Sequence, residues 1–148
     1  VLVLIDGSAY SLLILHYIKT FLAPEMHALT LLCVQEDAQT VQPAYGLPTD
    51  DTRNLQQVRT ARTAELVTEL TPHQRQLEEA GFMTALAVRF GDPVNEIDRF
   101  LDEHQFVLIA MTTHGRTGLR RVLLGSVAQH LIQHGALPML LYRPFGYE

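Results

Sequence analysis

The sequence is most informative over residues 112–126, which read TTHGRTGLRRVLLGS. This stretch follows an apolar run and leads into a helical pattern. Its glycines let backbone N–H groups approach an anion without obstruction by a Cβ atom. Ser126 stands at the expected helix start, where free N–H groups and the helix dipole favour a phosphate. The stretch predicts a phosphate-binding loop, and the alternative is a plain connection from strand to helix in which Ser126 is a cap.

The rest of the chain alternates apolar runs with helical patterns. Short apolar strands of this kind indicate a parallel sheet that is covered on both faces. We expect one α/β domain over residues 1–148, a doubly wound, Rossmann-like open sheet of five parallel strands. The strands are expected at 1–5, 28–34, 82–90, 106–111 and 138–142, and the helices at 10–22, 52–80, 93–103 and 122–134.

Several residues mark the ends of these elements. Ser8 or Ser11 is a candidate N-cap of the first helix, and Asp92 is one for the third, with Pro93 at its first position. Gly81 is a candidate C-cap. Pro72 predicts a kink or a break within the second helix. If the strand order is 3-2-1-4-5, the winding reverses between strands 1 and 4, so the ligand site lies where those two strands end.

Charge is distributed unevenly along the chain. The net charge is −5, yet residues 104–147 contain no Asp or Glu and carry four arginines. The sequence therefore predicts a local field that attracts an anion, although an exposed basic face would give the same composition. Aromatic residues are sparse, which disfavours general nucleic-acid binding. No apolar run is long enough to cross a membrane. The lone Cys33 allows no intrachain disulfide, which favours a cytoplasmic location.

The chain resembles the universal stress protein family over essentially its whole length. In that family's loop, two glycines three positions apart are followed, after nine residues, by Gly-Ser or Gly-Thr. Here Gly115 is similar to the second glycine, and Gly125-Ser126 follows in register. Asp6-Gly7-Ser8 and Gly91-Asp92-Pro93 also resemble family motifs. One residue departs from the pattern, because Thr112 stands where the family has its first loop glycine.

The resemblance implies a nucleotide-binding regulatory module of the stress response, with ATP as ligand and Mg²⁺ accompanying its phosphates. It implies that Asp6 binds the ribose and that the backbone of Val34 meets the adenine edge. On the residues alone, Asp6 could simply form a turn and Val34 could be core. The full set of implied nucleotide-binding residues is Asp6, Gly7, Val34, Met111, Thr112, His114, Gly115, Gly125, Ser126 and Val127.

Partners and alternatives follow from the same resemblance. Members of that family dimerise through the last strand, so the resemblance implies a homodimer through Pro138 to Arg143. The chief alternative is a stress-family dimer that has lost ATP binding and acts as a scaffold. If the chain is an enzyme, we expect at most a slow ATPase, because the sequence shows no recognisable combination of a nucleophile with a general base. His130 and His134, four residues apart, are read as a helix face rather than a metal site.

Overall fold

The computed structural model describes residues 1–37, 51–113 and 124–143, with backbone only for residues 51–53. In chain order the elements are β1 (Leu2–Ile5), α1 (Ala9–Phe21), β2 (Leu29–Gln35), α2 (Asp51–Glu79), β3 (Thr84–Phe90), α3 (Pro93–Glu103), β4 (Ile109–Thr112), α4 (Ser126–His134) and β5 (Met139–Tyr142). The five strands form one sheet in the order β3-β2-β1-β4-β5, and every adjacent pair is parallel. The predicted fold and strand order are confirmed.

The central strand β1 shows why both faces of this sheet are covered. All four of its residues are buried. Val3 and Ile5 belong to an apolar cluster shared with α1 and α2, whereas Leu2 and Leu4 belong to a second cluster shared with α3 and α4. Side chains alternate across a strand, so an uninterrupted apolar run serves two layers of helices at once.

The first and third helices begin as their sequences indicate. Ser8 is the N-cap of α1, and its hydroxyl accepts a hydrogen bond from the Ser11 N–H at 3.2 Å. Of the two serine candidates, the structure therefore selects Ser8. Asp92 caps α3 by accepting from the Asn95 N–H at 3.0 Å, with Pro93 at the first helical position.

Helix α2 is continuous from Asp51 to Glu79, so of the two alternatives predicted at Pro72, a kink or a break, the break is wrong. Pro72 lies on the exposed side of the helix, where its missing N–H does not disturb packing on the sheet. The sequence predicts that Leu66, Val67, Leu70 and Leu77 form a stripe that packs on the sheet. Leu66, Leu70 and Leu77 are buried as predicted. Val67 was expected to join that stripe but is 41% exposed, because one residue of helix turns a side chain by about 100°.

The end of α2 explains why β3 starts later than predicted. Gly81 has φ of +97°, and its N–H donates to the Glu78 carbonyl at 2.9 Å. The Phe82 N–H donates to the Leu77 carbonyl at 3.0 Å, which completes a Schellman motif. Phe82 therefore belongs to the helix cap, and β3 begins only at Thr84.

Two other boundaries differ from the expected ones by more than one residue. β4 begins at Ile109 rather than at Phe106, and Val107 is exposed. α4 begins at Ser126 rather than at Val122, as described below. Over residues 1–37, 51–113 and 124–143, no helix has both the length and the apolar character of a membrane span.

Candidate functional site

A cavity of about 320 Å³ opens where β1, β2 and β4 end, on the side where α3 and α4 begin. This is the point at which the sheet changes its winding direction, where open α/β sheets bind ligands. The residues that line it are Leu4, Ile5, Asp6, Ser11, Leu32, Val34, Glu36, Pro93, Ile97, Met111, Thr112, Thr113, Gly125, Ser126, Val127 and Ala128. The wall is apolar at the depth of the sheet and polar at the strand ends.

The β1 side of the cavity is a compact hydrogen-bonded turn. One carboxylate oxygen of Asp6 accepts from the Ser8 N–H at 2.9 Å. The Asp6 N–H donates to the Ser11 hydroxyl at 3.2 Å, and that hydroxyl donates to the Ser8 carbonyl at 3.0 Å. Gly7 makes the turn possible with φ of +79°. Both the carboxylate of Asp6 and the hydroxyl of Ser11 are thereby held at the cavity wall.

The β4 side is joined directly to the start of α4. Thr113 donates its N–H to the Tyr142 carbonyl at 2.9 Å, and its own carbonyl accepts from the Gly125 N–H at 2.9 Å. A Cβ on Gly125 would lie 3.3 Å from that carbonyl oxygen. A glycine at 125 therefore lets the helix start close against the end of β4, which brings Ser126 and Val127 to the cavity.

The start of α4 corrects the predicted helix boundary. Gly125 is the N-cap in an extended conformation, with φ −69° and ψ 161°. Its N–H bonds to Thr113 across the cavity wall instead of continuing a helix from Val122. Ser126 is the first helical residue, and no side chain caps the helix. The expectation that Ser126 might act as the cap is thus wrong.

The consequence for chemistry is a set of backbone donors aimed at the cavity. The first four N–H groups of an α-helix have no partner within the helix. The first turn of α4 also contains no acidic side chain that would neutralise its positive end. This end of the cavity can therefore hold an anion through backbone N–H groups and the helix dipole.

Thr112, the departure from the family's loop pattern, lies at the last position of β4. The residue is 4% exposed and lines the cavity. In the part of the chain that the structure describes, only glycines have positive φ, so a threonine here is not strained. The same part contains no buried side-chain oxygen or nitrogen without a hydrogen-bond partner. Thr112 thus differs from glycine in having a buried side chain, at a backbone conformation that does not require glycine.

The β2 side supplies residues that were partly missed from the sequence. Val34 lies at the wall as predicted, near Pro93 and Ile97 of α3. In the sequence, Asp6 is the only acid among the predicted site residues, but Glu36 also lines the cavity, so the prediction of a single acid is wrong. The sequence signal for this acid is weak, because Glu36 merely follows the predicted strand by two residues.

The predicted site residues divide into three groups. Asp6, Val34, Met111, Thr112, Gly125, Ser126 and Val127 line the cavity. Gly7 does not line it and serves the turn. His114 and Gly115 lie outside the described residues, as do the arginines at 116, 120 and 121.

The histidines of α4 make contacts of another kind. His130 pairs with Asp98 of α3 at 2.9 Å between Nε2 and Oδ2, and its ring stacks on that of His134. Within the three described ranges, no three His, Cys, Asp or Glu side chains are grouped to hold a metal ion. The pair connects two helices that flank the cavity.

Known proteins of the same kind share this architecture. Universal stress protein MJ0531 of Methanocaldococcus jannaschii is 34% identical over 108 residues, which cover 70% of this chain and 59% of that protein. The chain thus spans less than two thirds of that relative. The solved structure of MJ0577 from the same organism superimposes with a TM-score of 0.83 at 23% identity, covering 98% of this chain and 95% of that one.

Two further solved structures hold nucleotides. A universal stress protein in complex with cAMP has a TM-score of 0.65 at 17% identity, covering 96% of this chain and 94% of the other. The Arabidopsis thaliana family protein At3g01520 with AMP bound has a TM-score of 0.57 at 15% identity, covering 96% and 89%. At these identities the likeness shows a shared fold. The model of the universal stress protein family matches residues 1–143, and the chain belongs to that family.

Proposed function

We propose that this chain binds an adenine nucleotide, with ATP as the first candidate, in the cavity between β1 and β4, and that it acts as a nucleotide-dependent regulatory module. The observation that carries this proposal is the uncapped start of α4, which faces the same cavity as the carboxylate of Asp6. An anion-binding end and a hydroxyl-binding end then lie within one pocket.

The order of the strands in the sheet indicates how the ligand is oriented in the cavity. The strands that end at the cavity lie in the order β2, β1, β4. Two strand spacings amount to about 10 Å, the scale of a nucleoside with its first phosphate. We place the phosphates at Ser126 and Val127, the ribose at Asp6 and the base at Val34 between β2 and α3. The two solved family proteins with cAMP and AMP support a ligand of this class.

A divalent cation would accompany the phosphates rather than occupy a protein cage. The acidic residues of the described wall are Asp6 and Glu36, which lie on the β1 and β2 sides. The α4 end presents N–H donors, which bind phosphate oxygens, and the Ser126 hydroxyl, which contributes no charge to hold a cation. Mg²⁺ bound through ATP fits this arrangement.

One observation favours a second function. Thr112 is a buried residue of the cavity lining at the position where the family has a glycine. If the space of its side chain is needed by the nucleotide, the chain is a scaffold protein of the same family that does not bind ATP.

Thermal unfolding with and without ATP·Mg²⁺ separates the two functions. If the chain binds nucleotide, ATP at a hundred times its Kd raises the free energy of unfolding of the wild type by about 2.7 kcal/mol. The stabilisation of Thr112→Gly by ATP is then of similar size. If ATP stabilises only Thr112→Gly and not the wild type, the scaffold function is established instead. The absence of a shift in both proteins would refute nucleotide binding. Glu79→Gln, at an exposed position at the end of α2 that does not line the cavity, is the control.

A further inference from the structure

The chain just beyond β2 forms one wall of the cavity although the strand has already ended. β2 stops at Gln35, yet Glu36 still lines the cavity, together with Val34 inside the strand. The Gln35 carbonyl accepts from the Gly91 N–H at 2.9 Å, the last such bond to the neighbouring strand's end. Beyond that point the position of this wall depends on contacts other than the sheet.

Arg59 of α2 provides such a contact. Its Nε donates to one carboxylate oxygen of Asp37 at 3.0 Å, and its terminal nitrogen donates to the other. The guanidinium also lies over the ring of Phe90, 5.5 Å from the ring centre. A two-point arginine–carboxylate pair fixes direction as well as distance. The hydrogen bond to Asp37 raises the pKa of Arg59.

The burial of this pair is uneven. The Asp37 side chain is only 13% exposed, whereas that of Arg59 is 39% exposed. A carboxylate with little access to water depends on its partner more than a surface carboxylate does. Asp37 is therefore held in place by Arg59 and not by solvent.

A second arginine reaches the same segment from one turn further along α2. Arg62 Nε lies 3.4 Å from the Gln35 side-chain oxygen, while the Gln35 amide contacts the sulfur of Cys33 at 3.3 Å. Helix α2 thus holds this segment at residues 35 and 37, on both sides of the cavity-lining Glu36.

We propose that Arg59 is a positioning residue for the base end of the nucleotide site, which it orders by clamping Asp37 and so holding Val34 and Glu36 against the ligand. This inference rests on the proposed function. The clamp lies at the β2 end, whereas Ser126 and the α4 donors lie beyond β4. Removing the clamp therefore weakens recognition of the nucleoside and leaves phosphate binding unchanged.

Calorimetric titration with two probes, ATP and inorganic tripolyphosphate, tests the proposal. For Arg59→Ala we expect the affinity for ATP to fall about 5- to 10-fold, with less than about a 2-fold change for tripolyphosphate. Arg59→Lys retains the charge without the two-point geometry, so its loss is intermediate. If Arg59→Ala instead caused a general loss of structure, the affinities for ATP and for tripolyphosphate would fall alike.

The chain offers a matched control in Arg89. This arginine pairs with Glu103 at 2.5 Å and lies over the ring of Phe100 at 5.3 Å, yet it does not line the cavity. Arg89→Ala removes the same kinds of contact and leaves the affinity for both probes unchanged. An equal effect of Arg59→Ala and Arg89→Ala on ATP affinity overturns the proposal.

Hydrogen exchange without nucleotide tests the clamp independently of any ligand. In Arg59→Ala the amides of Glu36 and Asp37 exchange about tenfold faster or more, and in Arg89→Ala they do not. Unchanged exchange in Arg59→Ala overturns the inference. If the wild type binds neither probe but exchange accelerates as expected, the proposed function fails while the clamp stands.

Discussion

Asp6 is oriented by its own turn, whatever it binds. Its carboxylate accepts from the Ser8 N–H, and its N–H donates to Ser11, so the side chain is fixed at the cavity wall. The two interpretations of this residue, turn former and ribose ligand, are compatible because a carboxylate has two oxygens. They can be separated by a substitution that preserves the turn.

Asp6→Asn is that substitution. Its amide oxygen still accepts from the Ser8 N–H, so we expect the free energy of unfolding to change by less than about 0.5 kcal/mol. The loss of a charged acceptor for the ribose hydroxyls lowers the affinity for ATP about tenfold. Thermal unfolding and calorimetric titration measure the two effects.

Asp6→Ala serves as the comparison, because it removes the turn bond as well and costs about 1 kcal/mol of stability. If Asp6→Asn binds ATP as tightly as the wild type, the carboxylate does not contact the ligand and Asp6 is only a turn residue.

The sequence could predict the site where residue type and position agree. Asp6 and Ser126 each stand at the junction of a strand and a helix, and the structure places both at the cavity. Glu36 was missed because an exposed acid after a strand has no distinctive pattern. The start of α4 was misplaced because residues 122–124 are apolar and continue the helical spacing. Only the bond from Gly125 to Thr113, a contact between distant residues, sets the helix boundary.

Among the elements, α2 shows how packing overrides a local signal. A proline inside a helix removes one backbone hydrogen bond and usually breaks or kinks it. Here Leu66 and Leu70 before Pro72, and Leu77 after it, all pack into the same apolar cluster. The buried stripe on both sides keeps the helix continuous, and no local pattern could have shown that.

Pro72→Ala restores a backbone N–H that can donate to the Thr68 carbonyl. We expect it to raise the free energy of unfolding by about 1 kcal/mol or more, because interior proline is about 3 kcal/mol worse than alanine in helices. Denaturant titration gives the value.

Thr68→Ala, at another exposed position of α2, is the control. We expect it to raise the free energy of unfolding by no more than about 0.5 kcal/mol. A lower stability for Pro72→Ala would instead show that the proline contributes to the stability of α2 in this fold.

At the scale of the molecule, β5 is an edge of the sheet and is half-buried throughout. The carbonyls of Pro138 and Tyr142 accept bonds from β4. Because neighbouring residues of a strand in a parallel sheet bond to opposite sides, the N–H of Leu141 faces outward. An apolar strand with outward-facing donors is a surface for pairing with another chain.

We therefore expect a homodimer in which this edge is paired, as anticipated for Pro138 to Arg143. Wild-type protein at micromolar concentration then has the mass of a dimer by light scattering. Leu141→Pro removes an outward N–H and gives a folded monomer, since edge strands tolerate proline facing away from the sheet.

Leu140→Pro is the contrasting variant, because it removes an N–H that faces β4 and unfolds the sheet. Circular dichroism distinguishes the two results. A wild type that remains monomeric, or a Leu141→Pro variant that remains dimeric, contradicts pairing through β5.

The central place of β1 also determines when the cavity can exist during synthesis. Leu2 pairs with Thr30 on one side, but on the other it pairs with Ile109, which is translated much later. Domains generally fold as units, so β1 cannot complete its pairing before Ile109 has been synthesised. The β4 and α4 walls arrive only with the final third of the chain. A truncated polypeptide that stops before β4 thus lacks the pocket, so the whole domain must be synthesised before the cavity can form.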